Sequence, residues 1–360
     1  MLTLKRFFIA DFTLLMACAA TIWLSFGRPV PSASGAGVTI PFRAPEKGET
    51  SPELKTDPKE APAELPTMRR TKRRLSKIFV PGGPDTLPYL AFEPAMLQAM
   101  YEQANYLRRK DTHAKETSGI TKKDMLRTVE LLDGVQLLDP NVMLTTFDFY
   151  TIKTNMKKNR VRMTGYYTPI VKASRVRTEE YSVPMLRRPD SNVPPAELIE
   201  AGILGGKGLE LAWLRNKKEL ANAQLQGNCL VEFPDGKRQY FGFGGSVKRT
   251  RGKGKYVFFT PVDEKVLGCG YFPLTAGYSV AVDPRYIPIG STLLAELPNI
   301  DEKGKLRGYT YRIIFAQDRG GAILTTGRMD LYCGVGQKGL QEARKINRYG
   351  RLWLMLPKER

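Results

Sequence analysis

At 360 residues, with 42% hydrophobic and 26% charged side chains, the chain has room for two domains, or for one domain with tails, and enough apolar material for a real core. Its 56 Lys and Arg outnumber 36 Asp and Glu, and the net charge of +20 draws it toward polyanions: nucleic acid, anionic lipid or an acidic wall polymer. The single histidine, His113 in the polar run RRKDTHAKET, reads as an exposed loop residue and all but excludes a His-based triad or a multi-His zinc site, leaving acid–base chemistry to Asp, Glu, Tyr, Lys or Cys.

Lys5 and Arg6 precede an apolar run from Phe7 to Phe26, broken by Asp11 and a few small polar residues. Residues 1–34 therefore read as an export signal or membrane anchor, with the positive flank cytoplasmic and the rest of the chain outside the inner membrane. Cys18 ends LMAC, a loose match to a lipoprotein cleavage box, while SASG at 32–35 offers an ordinary signal-cleavage site; the anchor type stays open. Residues 35–77 are rich in Pro, Glu, Lys, Ser and Thr with almost nothing to bury, which is the composition of a disordered tether. The tether closes on a basic cluster from Arg69 to Lys77, read as a solvated charge run, with contact to anionic lipid or wall polymer as the second reading.

Order is expected from near Ile78. PAMLQAMYEQANYLRRK sets Met96, Leu97, Met100, Tyr101, Ala104 and Leu107 at helical spacing and ends in basic residues. TKKDMLRTVELLDG follows, with Thr121 and Asp124 spaced as a capping box and Gly134 as a stop. Both helices read as scaffold. From about Phe147 the pattern turns to strands: one from Val161, then 228–233, 238–243, 255–260, 278–283, 290–296, 309–317, 328–333 and 351–356. Turn signals such as PDGK at 234–237 and DEKGK at 301–305 link them, and so many short strands with few helices predict one or two β-barrels. Cys229, Cys269 and Cys333 lack CxxC spacing, which argues against structural zinc, and each reads as a small buried thiol.

Three aspartates stand out. In RMDLYC, alternation puts Arg328, Asp330 and Tyr332 on one face and Met329 and Leu331 on the other. Aspartate suits strand interiors poorly, so Asp330 marks a site or else an outward, solvated face. Asp318 ends the apolar run YRIIFAQ before Arg319-Gly320-Gly321, where ordinary turn chemistry is a strong competing reading. Asp283 closes another strand before Pro284.

The set AVDPRYIPIGSTLLAE, AQDRGGAI and RMDLYCGVG resembles the three-aspartate domain of bacterial lytic transglycosylases of the membrane-bound lytic murein transglycosylase A type. TGYYTPIV at 164–171, LQGNCLVEFPDGKRQYFGFGG at 225–245, YVFF at 256–259 and NRYGRLWLM at 347–355 resemble further segments of that family in the same order. The resemblance covers roughly residues 90–356. It implies a mainly β fold with flanking helices: a double-psi β-barrel built from 78–170 and 256–360, a second β-rich domain inserted at 171–255, and a groove between them for a glycan strand. It implies cleavage of the β-1,4 bond between N-acetylmuramic acid and N-acetylglucosamine, the muramyl 6-hydroxyl attacking its own C1 to leave a 1,6-anhydro end. The matching segment makes Asp330 the catalytic residue. Asp318 and Asp283 would order the site by hydrogen bonds, and Tyr166, Tyr167, Thr168 and Gln226 would line the groove, with interior packing an equal alternative for either tyrosine alone. No metal and no cofactor are called for. The implied partners are peptidoglycan glycan strands and, through the N-terminal segment, a membrane, in a periplasmic setting; nucleic acid is disfavoured by export and by the lack of a nucleic-acid-binding motif.

A one-acid scheme is physically consistent, because the nucleophile is carried by the substrate at high effective concentration. One carboxyl then gives a proton to the leaving oxygen and later accepts that of the 6-hydroxyl. Such an acid is expected to be raised by an apolar wall or a neighbouring carboxylate, for which Asp318 is the candidate. The chain departs from the family in offering only SVKRTRGKGK between Gly245 and Tyr256, where a long helical insert is usual, and in carrying Asn228 and Cys333 at family positions. These departures keep open a catalytically weak, peptidoglycan-binding protein on the same fold. Cys269 and Cys333, each beside glycines in segments that approach the implied barrel, form a candidate disulfide.

Overall fold

The computed structural model describes residues 73–359 except 91, 111–116, 134–138, 253 and 264. The export segment, most of the tether, His113 and the Gly134 stop lie outside the described residues.

In chain order, β1 (Phe79–Pro81) leads into the helices α1 (Pro94–Arg108), α2 (Lys122–Asp133) and α3 (Pro140–Thr146), then β2 (Phe147–Ile152) and β3 (Val161–Thr168). Next come β4 (Ile170–Ser174), β5 (Val183–Leu186), α4 (Ala196–Glu200), β6 (Glu210–Leu214), α5 (Lys217–Gln226), β7 (Cys229–Glu232), β8 (Arg238–Lys248) and β9 (Lys255–Val262). The chain closes with β10 (Ser279–Val282), β11 (Thr292–Ile300), β12 (Leu306–Arg319), β13 (Arg328–Val335), α6 (Gly336–Arg344) and β14 (Arg348–Pro357).

An eight-stranded sheet runs β1-β2-β14-β11-β12-β10-β13-β3, and β14 also pairs with β3. The pairing therefore passes from β14 through β11, β12, β10, β13 and β3 and back to β14. Two of these pairs are parallel, β10 with β12 and β13 with β3. The apolar runs of β11, β12 and β14 are buried almost throughout, because residues such as Leu293, Leu294, Ile313, Ile314, Phe315, Trp353 and Leu354 face a shared core. Helices α1 and α2 pack on that core through Met96, Met100, Leu107, Met125, Val129 and Leu132.

The capping box forms as expected: the Asp124 N–H donates to Thr121 Oγ1 (3.0 Å), and the Thr121 N–H to Asp124 Oδ2 (3.2 Å). The expected stripe of α1 is corrected. Leu97 and Tyr101 are 39% and 62% exposed, whereas Gln103 is fully buried. The buried face turns toward Ala99, Gln103 and Tyr106 because the Gln103 amide donates to the Gly290 carbonyl (2.8 Å), so a polar residue satisfies backbone there that an apolar one would leave unpaired.

A second, six-stranded sheet, β5-β6-β4-β7-β8-β9, occupies residues between β3 and β10 and has a separate core of Val171, Leu214, Val231, Phe241 and Phe259 among others. Pro169 marks the passage from β3 into this sheet, and its carbonyl accepts the Leu230 N–H (2.9 Å). Helix α5 starts on Asn216, whose side chain accepts the Glu219 N–H (3.0 Å), and stops at Gly227, whose φ of +75° is the left-handed conformation a glycine tolerates.

Candidate active site

Strand register brings the three sequence segments together. Asp330 on β13 sits opposite Thr164 on β3 and opposite Ala281 on β10, and Ala281 in turn sits opposite Asp318 on β12. Thr164, Asp330, Ala281 and Asp318 thus form one row across four strands, and in-register neighbours share a face. With Ala281 between them, the two aspartates stand two strand spacings apart, about 10 Å between Cα atoms. Two residues along, Tyr166 pairs with Tyr332, their ring centroids 5.3 Å apart.

The two carboxylates have different surroundings. Asp330 is 18% exposed at its side chain; Thr164 Oγ1 donates to its Oδ1, and Arg328 reaches both oxygens, Nε to Oδ1 and Nη2 to Oδ2 at 3.2 Å each. Asp318 is half-buried, accepting the Tyr166 hydroxyl on Oδ2 (2.8 Å) and the Cys269 N–H on Oδ1 (3.1 Å). Burial outweighs these bonds and pushes its carboxyl up to about 6. Burial and the Asp318 charge together drive the Tyr166 hydroxyl well above its ordinary value. The raised carboxyl expected of the acid is thus found at Asp318, and the group facing Asp330 is a guanidinium.

Asp283 belongs to a different local structure. It is 3% exposed, and Arg285 grips it through Nε–Oδ1 (2.9 Å), Nη2–Oδ2 (2.6 Å) and its own N–H (3.1 Å). Burial acts to raise this carboxyl, but the Arg285 bonds and charge overcome it and hold the group below its usual value. Arg285 also donates to the Leu324 carbonyl (2.9 Å), so Asp283 anchors the loop between β12 and β13 from outside the row.

Of the residues expected along a groove, Tyr166 and Tyr167 are half-buried. The Tyr167 N–H donates to Gln226 Oε1 (3.1 Å), and Asn222 Nδ2 donates to the Tyr167 hydroxyl (3.1 Å), so α5 of the second sheet clamps the end of β3. Thr168 corrects the expectation: it is fully buried, and its hydroxyl is engaged with that of Tyr332 (3.0 Å), which makes it support behind the surface. Thr164 and Asn222 were not singled out in the sequence. Thr164 was legible by alternation from Tyr166, whereas Asn222 carries no signal of its own. The expected Cys269–Cys333 bond is also corrected: both thiols are free, and Cys333 Sγ donates to the Leu331 carbonyl (3.3 Å). Among the described residues no group of three or more His, Cys, Asp or Glu is placed to hold a metal, and no helix is long and apolar enough to cross a membrane.

In this mostly β protein the segment that carries the row of aspartates is matched by a domain model: the 3D domain model matches residues 278–356, and the model described as the MltA specific insert domain matches residues 162–196. Membrane-bound lytic murein transglycosylase A of Escherichia coli is 31% identical over 240 residues, covering 54% of this chain and 65% of that protein. The Vibrio cholerae protein of the same name is 27% identical over 242 residues, covering 55% and 66%. Among solved structures, E. coli MltA with bound chitohexaose superposes with a TM-score of 0.66 at 24% identity, covering 79% of this chain and 96% of that one. A membrane-bound lytic murein transglycosylase from Agrobacterium tumefaciens gives 0.61 at 18% identity, covering 75% and 98%. The chain is thus similar to the membrane-bound lytic murein transglycosylases A, and spans just under two thirds of the length of the relatives named here.

Proposed function

We propose that this protein is a peptidoglycan lytic transglycosylase that cleaves the bond between N-acetylmuramic acid and N-acetylglucosamine, with Asp330 as its one acid and base. The observation that carries the reading is the inequality of the two carboxylates in the row. Asp318 is held by the Tyr166 hydroxyl and by the Cys269 backbone N–H, which tie it to the fold. Both oxygens of Asp330 are engaged as well, but its partners among the described residues are Thr164 and Arg328, whose side chain is 34% exposed.

In the reaction, protonated Asp330 gives its proton to the glycosidic oxygen as the C1–oxygen bond breaks. The muramyl 6-hydroxyl then forms the new bond to C1 and returns its proton to the Asp330 carboxylate, so acid and base are regenerated and no water is consumed. Arg328 pairs with the ionised form that stands between the two proton transfers. Asp318 and Asp283 hold the loop and strand ends, and Tyr166, Tyr167 and Gln226 shape the adjoining surface. The setting we infer is periplasmic, with the apolar run Phe7–Phe26 as membrane tether. A second reading, glycan binding with little cleavage, draws on the Arg328–Asp330 ion pair and on the short connection between β8 and β9.

Digestion of purified sacculi by the wild type and by Asp330→Asn tests both. Anhydro-muropeptides from the wild type alone are expected. Glycan binding with no soluble product from either protein would favour the second reading, and reducing-end products would indicate hydrolysis.

A further inference from the structure

One cation reaches from the second sheet to the loop that follows Asp318. Lys255 opens β9, and its Nζ lies 5.3 Å from the ring centroid of Phe243 on β8. The same Nζ stands against the turn Gly320–Gly321: a methyl group on Gly321 would lie 2.8 Å from it. The glycine leaves room for the ammonium there, directly after the Asp318–Arg319 pair.

Phe243 is 49% exposed, whereas Phe241 on the same strand is 4% exposed and Phe259, the cross-strand partner of Phe243, is 1% exposed. The sheet core therefore does not account for the exposed ring. Lys255 is exposed and has no carboxylate partner among the described residues, and the neighbouring Arg319 is exposed as well. An ammonium resting on an aromatic face, beside a second cation and with no anion to neutralise it, is complementary to a ligand that carries a ring and a negative charge together. An apolar sugar face lies on a phenyl ring as another ring does, and the carboxylate then meets the ammonium.

We propose that Phe243 and Lys255 form a subsite for a carboxylate-bearing sugar of the glycan, Phe243 under the ring and Lys255 on the charge. The inference rests on the glycan-strand reading above and adds a preference for acidic strands over neutral ones. The carboxylate has two chemical sources, the peptide stem on an intact strand or the free lactyl ether left when the stem is removed.

The test measures binding by the full chain in detergent, in an Asp330→Asn background that prevents turnover. Three ligands are compared: strands with stems, strands stripped of stems, and a neutral N-acetylglucosamine hexamer. Lys255→Gln is expected to weaken one or both acidic ligands about three- to tenfold, as for an exposed to partly shielded ion pair, and the neutral hexamer less than twofold. Lys255→Arg should restore the preference. Selective loss for stem-bearing strands assigns the stem carboxylate, and selective loss for stripped strands assigns the lactyl group. Equal affinities of Lys255→Gln and its parent for all three ligands, or equal weakening of all three, would overturn the subsite alone. Failure of the parent to bind any of the three would overturn the glycan reading and the subsite with it.

Discussion

Removing one hydroxyl, in Tyr166→Phe, isolates the electrostatics of the row. The Tyr166 hydroxyl donates to Asp318 at 2.8 Å, one of the bonds that oppose the effect of burial on a carboxyl already near 6. A hydrogen bond to a charged group contributes about 1.5–3 kcal/mol against about 1 kcal/mol for a neutral one, so its loss should move Asp318 upward by a further ~0.5–1.5 pH units. The sign for stability follows from the raised value. A carboxyl raised on folding contributes stability that is fully present below its unfolded value, 3.8, and is lost as pH rises through its folded value, about 6. In the wild type this accounts for ~3 kcal/mol of decline between those limits, an upper figure for a half-buried group. In Tyr166→Phe the decline should extend to about pH 6.5–7.5. The cost of the substitution should accordingly grow with pH, from about 1 kcal/mol at pH 4, where a neutral bond is lost, to about 1.5–3 kcal/mol at pH 8. Urea denaturation across that range, with infrared titration of the protonated carboxyl band, reads both quantities. A cost independent of pH, or a downward move of the Asp318 titration, would refute this electrostatic account.

Two further substitutions probe the supports of the row. Asp283→Asn should cost about 1.5–3 kcal/mol at pH 7, because the bonds from Arg285 to a buried charge are weakened. This carboxyl is lowered on folding, so its contribution is present above its unfolded value of 3.8 and lost as pH falls through the lower folded value; thermal unfolding of the two proteins should converge as pH falls below 3.8. Gly165→Ala should cost about 1–3 kcal/mol by overpacking, since the new methyl would lie 2.5 Å from Ala343 Cα on α6; it should also lower activity by shifting β3 beside Tyr166, measurable as a drop in thermal midpoint together with slower release of muropeptides.

The β character and the aspartate positions were legible because they follow from local pattern. Alternation in RMDLYC correctly grouped Arg328, Asp330 and Tyr332; the apolar runs at 309–317 and 351–356 fall within β12 and β14, and that at 290–296 overlaps β11 from Thr292. Helices α5 and α6 escaped notice for a physical reason. In α5 only Leu220 and Ala223 are buried, and α6 buries Gly336, Gly339 and Ala343, so close packing by small residues leaves no apolar stripe to read. The unequal fates of Asp318 and Asp330 were illegible, because they depend on β10 lying between β12 and β13 and on β3 pairing in parallel with β13. Such long-range register is set by the assembled sheet and by no single segment. The sequence likewise could not show that Gln226 and Asn222, from a helix in the other sheet, would hold Tyr167.

The central claim is that the substrate's own 6-hydroxyl replaces water as nucleophile while Asp330 alone moves the protons. Digestion of sacculi in water enriched in oxygen-18, followed by mass spectrometry of the released muropeptides, tests it most directly. The account predicts 1,6-anhydro ends with no incorporated label, and loss of these products in Asp330→Asn. One labelled oxygen per cleaved bond, or full activity in Asp330→Asn, would contradict it.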